Sequence, residues 1–221
     1  MIKGKKLRKN YNNKIVLDIP RLEIKQSQIV SICGPSGAGK TTLLNILGTL
    51  TKPDSLKGTS LNIMDEDITK MFPDNLAEFR NRHLGFIFQF HELLNEFNVI
   101  ENVIIPGLIA NKERNKLIKK GTEILKILNI VDLKYSNPNN ISGGEKQRVA
   151  VARSLINDPS IIFADEPSGN LDAKNADELH KLFFKLRNEF GQTFVIVTHN
   201  EKLSKISDKI LKLVDGKIQN K

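Results

Sequence analysis

Ile29-Val30-Ser31-Ile32-Cys33-Gly34-Pro35-Ser36-Gly37-Ala38-Gly39-Lys40-Thr41 is the stretch from which the fold can be read. A short β-branched run ends in a glycine loop, and Leu43, Leu44, Leu47 and Leu50 then recur at helical spacing. Gly34-x4-Gly39-Lys40-Thr41 matches the phosphate-loop pattern. Its glycines let successive backbone N–H groups turn inward around a phosphate. The helix beginning near Lys40 adds about half a positive charge at its N-terminus. The Lys40 ammonium has the reach for β and γ oxygens, and the Thr41 hydroxyl suits Mg²⁺. At this composition the pattern arises by chance in roughly one chain in a hundred. A glycine-rich turn with an incidental lysine is the weaker reading, because strand and helix flank the loop in the required order.

Outward from the loop, the first third of the chain alternates short apolar runs with turns. Ile15–Ile19, Gly58–Ile63 and Leu84–Phe88 read as strands. From Asn98 to about Asn157 the pattern is helical, with Ile118, Ile124, Leu125 and Leu128 on one apolar face and a loop at 137–140. Ile161–Ala164 and Thr193–Val197 are continuous apolar runs of the kind buried on both faces of a parallel sheet. Between them Ala176, Leu179, Phe183, Leu186 and Phe190 form one helical stripe. The tail from Lys209 to Ile218 is a hairpin turning at Asp215-Gly216. The sum is an α/β core interrupted by a helical insertion.

Composition bounds what such a chain does. With 221 residues, 39% hydrophobic, 27% charged and 8 prolines, it builds a core and is not a disordered polymer. No apolar run approaches the roughly 18–20 residues that span a bilayer, so no direct membrane insertion is expected. The basic start, Met1-Ile2-Lys3-Gly4-Lys5-Lys6, lacks a signal peptide's apolar stretch. A single cysteine, Cys33, allows no internal disulfide, which fits a cytoplasmic setting. With no Trp and 2 Tyr, the composition argues against an aromatic-cage or Trp-anchored binding module. The net charge of +9 is spread along the chain, as in 112–116, and reads as solvated helix faces in preference to a polyanion-binding block.

Two further motifs carry chemistry. Asp165 and Glu166 end the apolar run 161–164, and carboxylates buried there without a partner would cost several kcal/mol. In a parallel sheet this edge is also where a phosphate loop sits, so Asp165 is placed for Mg²⁺. Glu166, pointing the other way before Pro167, is placed to take a proton from an attacking water. Ser142-Gly143-Gly144-Glu145 has capping-box spacing. A cap alone does not explain two glycines in a first turn, each costing up to about 1 kcal/mol relative to Ala. Close approach of an anion to the backbone does explain them. One nucleotide gripped by both helix starts implies two copies of the chain.

With these segments in hand, the chain resembles the nucleotide-binding subunits of ABC transporters over nearly its whole length. Ile141-Ser142-Gly143-Gly144-Glu145 is similar to that family's LSGGQ signature, with Ile for Leu and Glu for Gln. The stretches 84–91 and 168–177 resemble the branch of lipoprotein-releasing, efflux and cell-division subunits, the lipoprotein-releasing ATPases foremost. The resemblance implies a P-loop NTPase (RecA-like) α/β core with an N-terminal antiparallel β subdomain and an inserted α-helical subdomain. The core would take residues 1–92 and 158–221, and the helical part 93–157.

The resemblance also assigns roles. ATP would be held by Gly34, Pro35, Ser36, Gly37, Ala38, Gly39, Lys40, Thr41 and Thr42, with Tyr11 stacking on adenine. Tyr11 lies in a short Asn-rich segment that also reads as a plain turn. Gln89 would sense the metal alongside Thr41 and Asp165, Glu166 would be the base, and His199 would meet the γ-phosphate. Alone, Gln89 and His199 are ordinary strand-end residues; the surrounding set gives them meaning. Ser142, Gly143, Gly144 and Glu145 would act on the nucleotide of the opposite copy, which Gly169, Asn170, Leu171 and Asp172 would contact. The implied cofactors are ATP and Mg²⁺. The implied partners are a second copy and integral membrane permease subunits at the cytoplasmic face of the inner membrane, with no nucleic acid expected. Phe90, Leu93, Leu94 and Phe97 read either as core or as the link to that membrane partner. DNA-repair relatives carry a long coiled coil between the two motifs, and only 102 positions separate Lys40 from Ser142.

Overall fold

The computed structural model describes residues 1–219. In chain order its elements are β1 (Ile2–Tyr11), β2 (Lys14–Ile24), β3 (Ile29–Cys33), α1 (Lys40–Leu47), β4 (Ser60–Ile63) and β5 (Glu66–Asp67). There follow α2 (Pro73–His83), β6 (Leu84–Ile87), α3 (Val99–Ile109), α4 (Arg114–Ile127), α5 (Gly143–Leu155) and β7 (Ile161–Asp165). The chain closes with α6 (Ala173–Phe190), β8 (Thr193–Val197), α7 (Glu201–Ile206), β9 (Lys209–Val214) and β10 (Lys217–Gln219). It divides into two compact units, one of Met1–Ala77 with Phe183–Lys221 and one of Glu78–Leu182.

The first unit holds an antiparallel sheet in the order β2-β1-β4-β5. Along β1 and β2 Ile2, Leu7, Leu17, Ile19, Leu22 and Ile24 turn inward. The alternation shifts phase by one residue in both strands, between Lys5 and Leu7 and between Ile19 and Arg21, where Lys6 has φ 48°. The same unit holds β10-β9-β3-β8, in which β3 runs parallel to both β8 and β9. Every residue of β8 is buried, which a strand covered on both faces demands. Phe183 of α6 meets Phe194 with ring centroids 4.9 Å apart, sealing that helix onto the strand.

In the second unit β6 and β7 pair in parallel, Leu84 opposite Ile161 through Ile87 opposite Ala164. Helix α5 packs against β6 and against α3 and α4. α3 starts with a complete capping box, Asn98 with Glu101, and α4 turns Leu117, Gly121, Ile124 and Leu125 inward. Among the described residues no helix is long and apolar enough to cross a membrane.

Three details depart from the periodicity. Leu50 does not continue the stripe of α1, because the amides of Leu50 and Thr51 both turn back to the Asn45 carbonyl and leave Leu50 exposed. Phe190 ends α6 exposed, because Gly191 at φ 65° stops the helix there. Helix α2 escapes the pattern altogether, since Leu76 and Phe79 are its only buried apolar side chains.

Candidate functional site

In the first unit the glycine loop joins β3 to α1, whose N-cap is Gly39 at φ 94°. A side chain there would be strained, and its Cβ would fall 2.7 Å from the Val16 carbonyl oxygen. Glycine also brings no side chain to cap the helix, and no side-chain cap bonds its first-turn amides. Lys40 is 8% exposed, and its ammonium donates to the carbonyls of Gly34 at 3.0 Å and Pro35 at 2.9 Å. The charge is thus folded over the loop's own mouth. Thr41 is exposed and Thr42 half-buried at the same helix start.

His199 follows Thr198 at the end of β8. Because β8 and β3 run parallel with Ile32 opposite Val197, His199 emerges beside the start of the loop. His199 and Gly34 share the wall of one cavity of about 260 Å³, with Cys33, Ser204 and Lys212. Tyr11 ends β1 opposite Lys14, across a tight turn formed by Asn12 and Asn13 at φ 48° and 62°. Its ring is half-exposed and carries the Lys9 ammonium 5.6 Å from its centroid. Val16, two residues beyond Lys14, is the residue that crowds Gly39, so the Tyr11 hairpin borders the loop. The first unit therefore gathers Tyr11, the loop and His199.

The second unit gathers the rest. Parallel pairing of β6 with β7 delivers Gln89 and the pair Asp165–Glu166 to the same sheet edge. Glu166 adopts φ 45°, a conformation costing a non-glycine residue about 1–3 kcal/mol and common at functional turns. Its carbonyl accepts from the Gly169 amide at 3.0 Å, closing the turn. A Cβ on Gly169 would lie 3.4 Å from Gln89 Nε2 and 3.3 Å from the Glu166 carbonyl oxygen, so Gly169 borders both residues. Asn170 Nδ2 donates to the Gln89 carbonyl at 3.2 Å.

Ser142 caps α5 reciprocally with Glu145, whose carboxylate accepts from the Ser142 amide and hydroxyl, each at 2.7 Å. Those two bonds hold the Glu145 carboxyl below its ordinary range. Asp172 caps α6 through the Asn175 amide at 2.9 Å, and bonds from Asn175 likewise lower its carboxyl. Leu171 and Asp172 thus sit where the turn after β7 enters α6. The two glycines of the first turn of α5 differ. A Cβ on Gly144 would meet Asn175 Oδ1 at 3.1 Å, whereas one on Gly143 would meet nothing within 4 Å. Crowding inside the chain accounts for Gly144 only. Gly143 faces open space.

Sequence reasoning missed two residues of this unit. Asn102 is fully buried in α3 and bonds four backbone groups of the segment 94–98. Arg153, on α5, grips the carbonyls of His91 and Glu92. An asparagine inside the apolar run 99–109 was the available signal for the first. Nothing in a helix's spacing signals the second. Phe90, Leu94 and Phe97 prove exposed, at 72%, 44% and 40%, and so are not core.

The oxygen donors of Thr41, Asp165 and Gln89 are of the hard type that Mg²⁺ takes. A phosphate loop entering a helix and an acidic pair ending a buried strand define a nucleoside-triphosphate-hydrolysing cassette. The ABC transporter family model matches residues 17–169. The chain belongs to that family, as an ATP-binding subunit that hydrolyses ATP. It is 52% identical over 218 residues to the lipoprotein-releasing system ATP-binding protein LolD of Bacteroides fragilis (strain YCH46), covering 99% of this chain and 100% of that one. The LolD protein of Porphyromonas gingivalis (strain ATCC BAA-308 / W83) is 52% identical over 216 residues, covering 98% and 97%. Among solved structures, a dimeric form of MJ0796, described as a bacterial ABC transporter cassette, superimposes with a TM-score of 0.90 at 36% identity, covering 100% of this chain and 97% of that one. A dimeric post-hydrolysis state of MJ0796 bound to ADP and Pi gives 0.89 at 35%, with the same coverage.

Proposed function

We propose that this chain is the ATPase of a complex that releases lipoproteins from the inner membrane. Two copies would associate head to tail and close on Mg·ATP. The observation that carries the lipoprotein reading is the 52% identity to LolD across 99% of this chain and 100% of that protein. Solved relatives described as dimeric support the pairing.

In this reading the loop 34–42 and Lys40 hold the phosphates, and Tyr11 stacks on adenine for about 1 kcal/mol. Thr41, Gln89 and Asp165 would hold Mg²⁺, which when bound neutralises charge on the β- and γ-phosphates. Glu166 positions and deprotonates the attacking water, and His199 meets the γ-phosphate. The turn Ser142–Glu145 of one copy faces the nucleotide of the other, and Gly169–Asp172 contacts that copy. Little covalent chemistry is asked of the protein: positioned dipoles and charges stabilise the transferring phosphoryl group. Residues 1–92 and 158–221 serve as the catalytic core and 93–157 as the helical part. The exposed apolar stretch Phe90–Phe97 suits a permease subunit, which would keep the chain on the cytoplasmic face without entering the bilayer.

The test is reconstitution. The tagged chain is purified from membranes with the subunits that accompany it, then placed in liposomes carrying an acylated protein. ATP-dependent release of that protein is the expected result. Export of a small molecule instead, or an accompanying cell-division complex that releases nothing, refutes the lipoprotein reading and leaves the ATPase intact.

A further inference from the structure

Between β6 and α3 the chain runs from Phe88 to Asn98 without regular structure, and it carries the exposed side chains of Phe90, Leu94 and Phe97. Two consecutive residues within it, His91 and Glu92, lie in the left-handed region at φ 61° and 51°. Each such non-glycine residue costs on the order of 1–3 kcal/mol and persists only where its surroundings over-determine it.

The surroundings are specific. From α5, Arg153 donates one guanidinium nitrogen to the His91 carbonyl at 2.6 Å and the other to the Glu92 carbonyl. From α3, the buried Asn102 accepts from the Leu94 amide at 2.8 Å and donates to the carbonyls of Leu94, Phe97 and Asn98 at 3.0–3.1 Å. Asn170 holds the Gln89 carbonyl. The stretch is fastened along its backbone while its apolar side chains stay outside. Of the three fasteners, only Arg153 stands on α5, the helix that begins at Ser142, and only it grips the strained pair. A planar fork with fixed donors suits two adjacent carbonyls, which a lysine point charge cannot reproduce. Burial also draws the guanidinium down from its ordinary value, opposed by the Glu92 carboxylate.

We propose that Arg153 is a positioning residue: it locks the backbone at His91–Glu92, so that the exposed stretch Phe90–Phe97, the Gln89 side chain and the α5 helix start move as one piece. The proposal rests on the reading above, in which Gln89 and the Ser142 turn serve ATP hydrolysis.

The experiment uses the full-length chain with Arg153→Ala and Arg153→Lys. It compares thermal unfolding, amide hydrogen exchange over residues 89–98, and the kcat and KM of ATP hydrolysis. With Arg153→Ala, exchange at 91–94 should rise about 10-fold or more while Tm moves by only a few degrees. The kcat should fall about 5- to 30-fold with KM for ATP within about 2-fold, as expected of a residue that positions Gln89 without itself holding ATP. Arg153→Lys should restore part of both. Unchanged exchange overturns the proposal, as does an unchanged kcat. It is equally overturned if kcat and KM fail together with Tm, or if Arg153→Lys equals the wild type. If Arg153→Ala does not fold, Arg153→Lys decides: a looser segment with normal Tm and reduced kcat supports the clamp, and wild-type behaviour rejects it. A wild-type chain without ATPase activity would instead refute the reading beneath, and the exchange comparison would still judge the clamp.

Discussion

The side chain of Asn175 joins two turns that lie far apart in sequence: its Nδ2 donates to the Asp172 carboxylate at 2.6 Å, and its Oδ1 stands 3.1 Å from where a Cβ on Gly144 would lie. The start of α6 and the start of α5 are thereby held side by side within one unit. The same contact separates the two glycines of the Ser142 turn. Gly144→Ala must push Asn175 aside and should lower Tm by a few degrees. Gly143→Ala enters open space and gains helix propensity, up to about 1 kcal/mol, so its Tm should hold or rise. If that space is kept for a nucleotide, Gly143→Ala should nevertheless lose about 10-fold or more in turnover. Thermal melts and ATPase rates on the two variants check both halves, and a fully active Gly143→Ala would deny the turn its role.

Glu166 stands in a strained turn closed by the Gly169 amide, and Gly169 in turn borders Gln89. Glu166→Gln should keep ATP affinity and lose at least about 10²-fold in kcat, the usual cost of removing a general base. It should also accumulate an ATP-bound pair on a sizing column. Near-normal hydrolysis by this variant would remove Glu166 from the chemistry.

Lys40 bonds the Gly34 and Pro35 carbonyls, which in the proposed role it would exchange for phosphate oxygens. Lys40→Ala should weaken ATP binding about 10- to 100-fold, the range expected for a lost hydrogen bond between charged groups. Titration with a fluorescent ATP analogue measures this directly. An affinity within twofold of the wild type would contradict the phosphate loop.

The Glu145 carboxyl is held below its ordinary range by the Ser142 hydroxyl and amide. For a depressed carboxyl, the unfolded chain binds the proton more readily as pH falls. Its contribution is therefore present above the unfolded carboxylate value and is lost as pH drops through the folded one. Glu145→Gln keeps a capping box without a titrating group. The Tm difference between wild type and Glu145→Gln should stay constant from about pH 6 to 8 and shift in the destabilising direction for the wild type below about pH 4. A difference that stays flat to pH 3 would contradict it.

Asn102 satisfies four backbone groups from a fully buried position. Asn102→Ala strands the Leu94 amide and the Phe97 carbonyl, while the Leu94 and Asn98 carbonyls keep the Phe97 and Asn102 amides. At about 1–3 kcal/mol for each stranded group that water fails to reach, a Tm loss of roughly 6–12 °C is expected by differential scanning fluorimetry. A loss below about 2 °C would show that the segment 94–98 is held by other means.

Local chemistry made the phosphate loop, the acidic strand end and the capped Ser142 helix legible from the sequence, because each is specified by neighbours within a few positions. Helix spacing likewise placed α6, and two-sided burial made β7 and β8 readable as unbroken apolar runs. The stripes failed at helix ends, at Leu50 just past α1 and at Phe190 in the last position of α6, since a stop depends on backbone turns that hydropathy does not record. What tertiary structure alone decided is which groups meet. It set Gln89 and Glu166 each against Gly169, laid Asn175 beside Gly144, and brought Arg153 to the His91 and Glu92 carbonyls. Those contacts join residues tens of positions apart, and no periodicity along the chain encodes a bond from a helix side chain to a distant loop carbonyl. Phe90 and its neighbours were open to two readings for the same reason: an apolar side chain is core or docking surface only once the fold has covered it or left it in water.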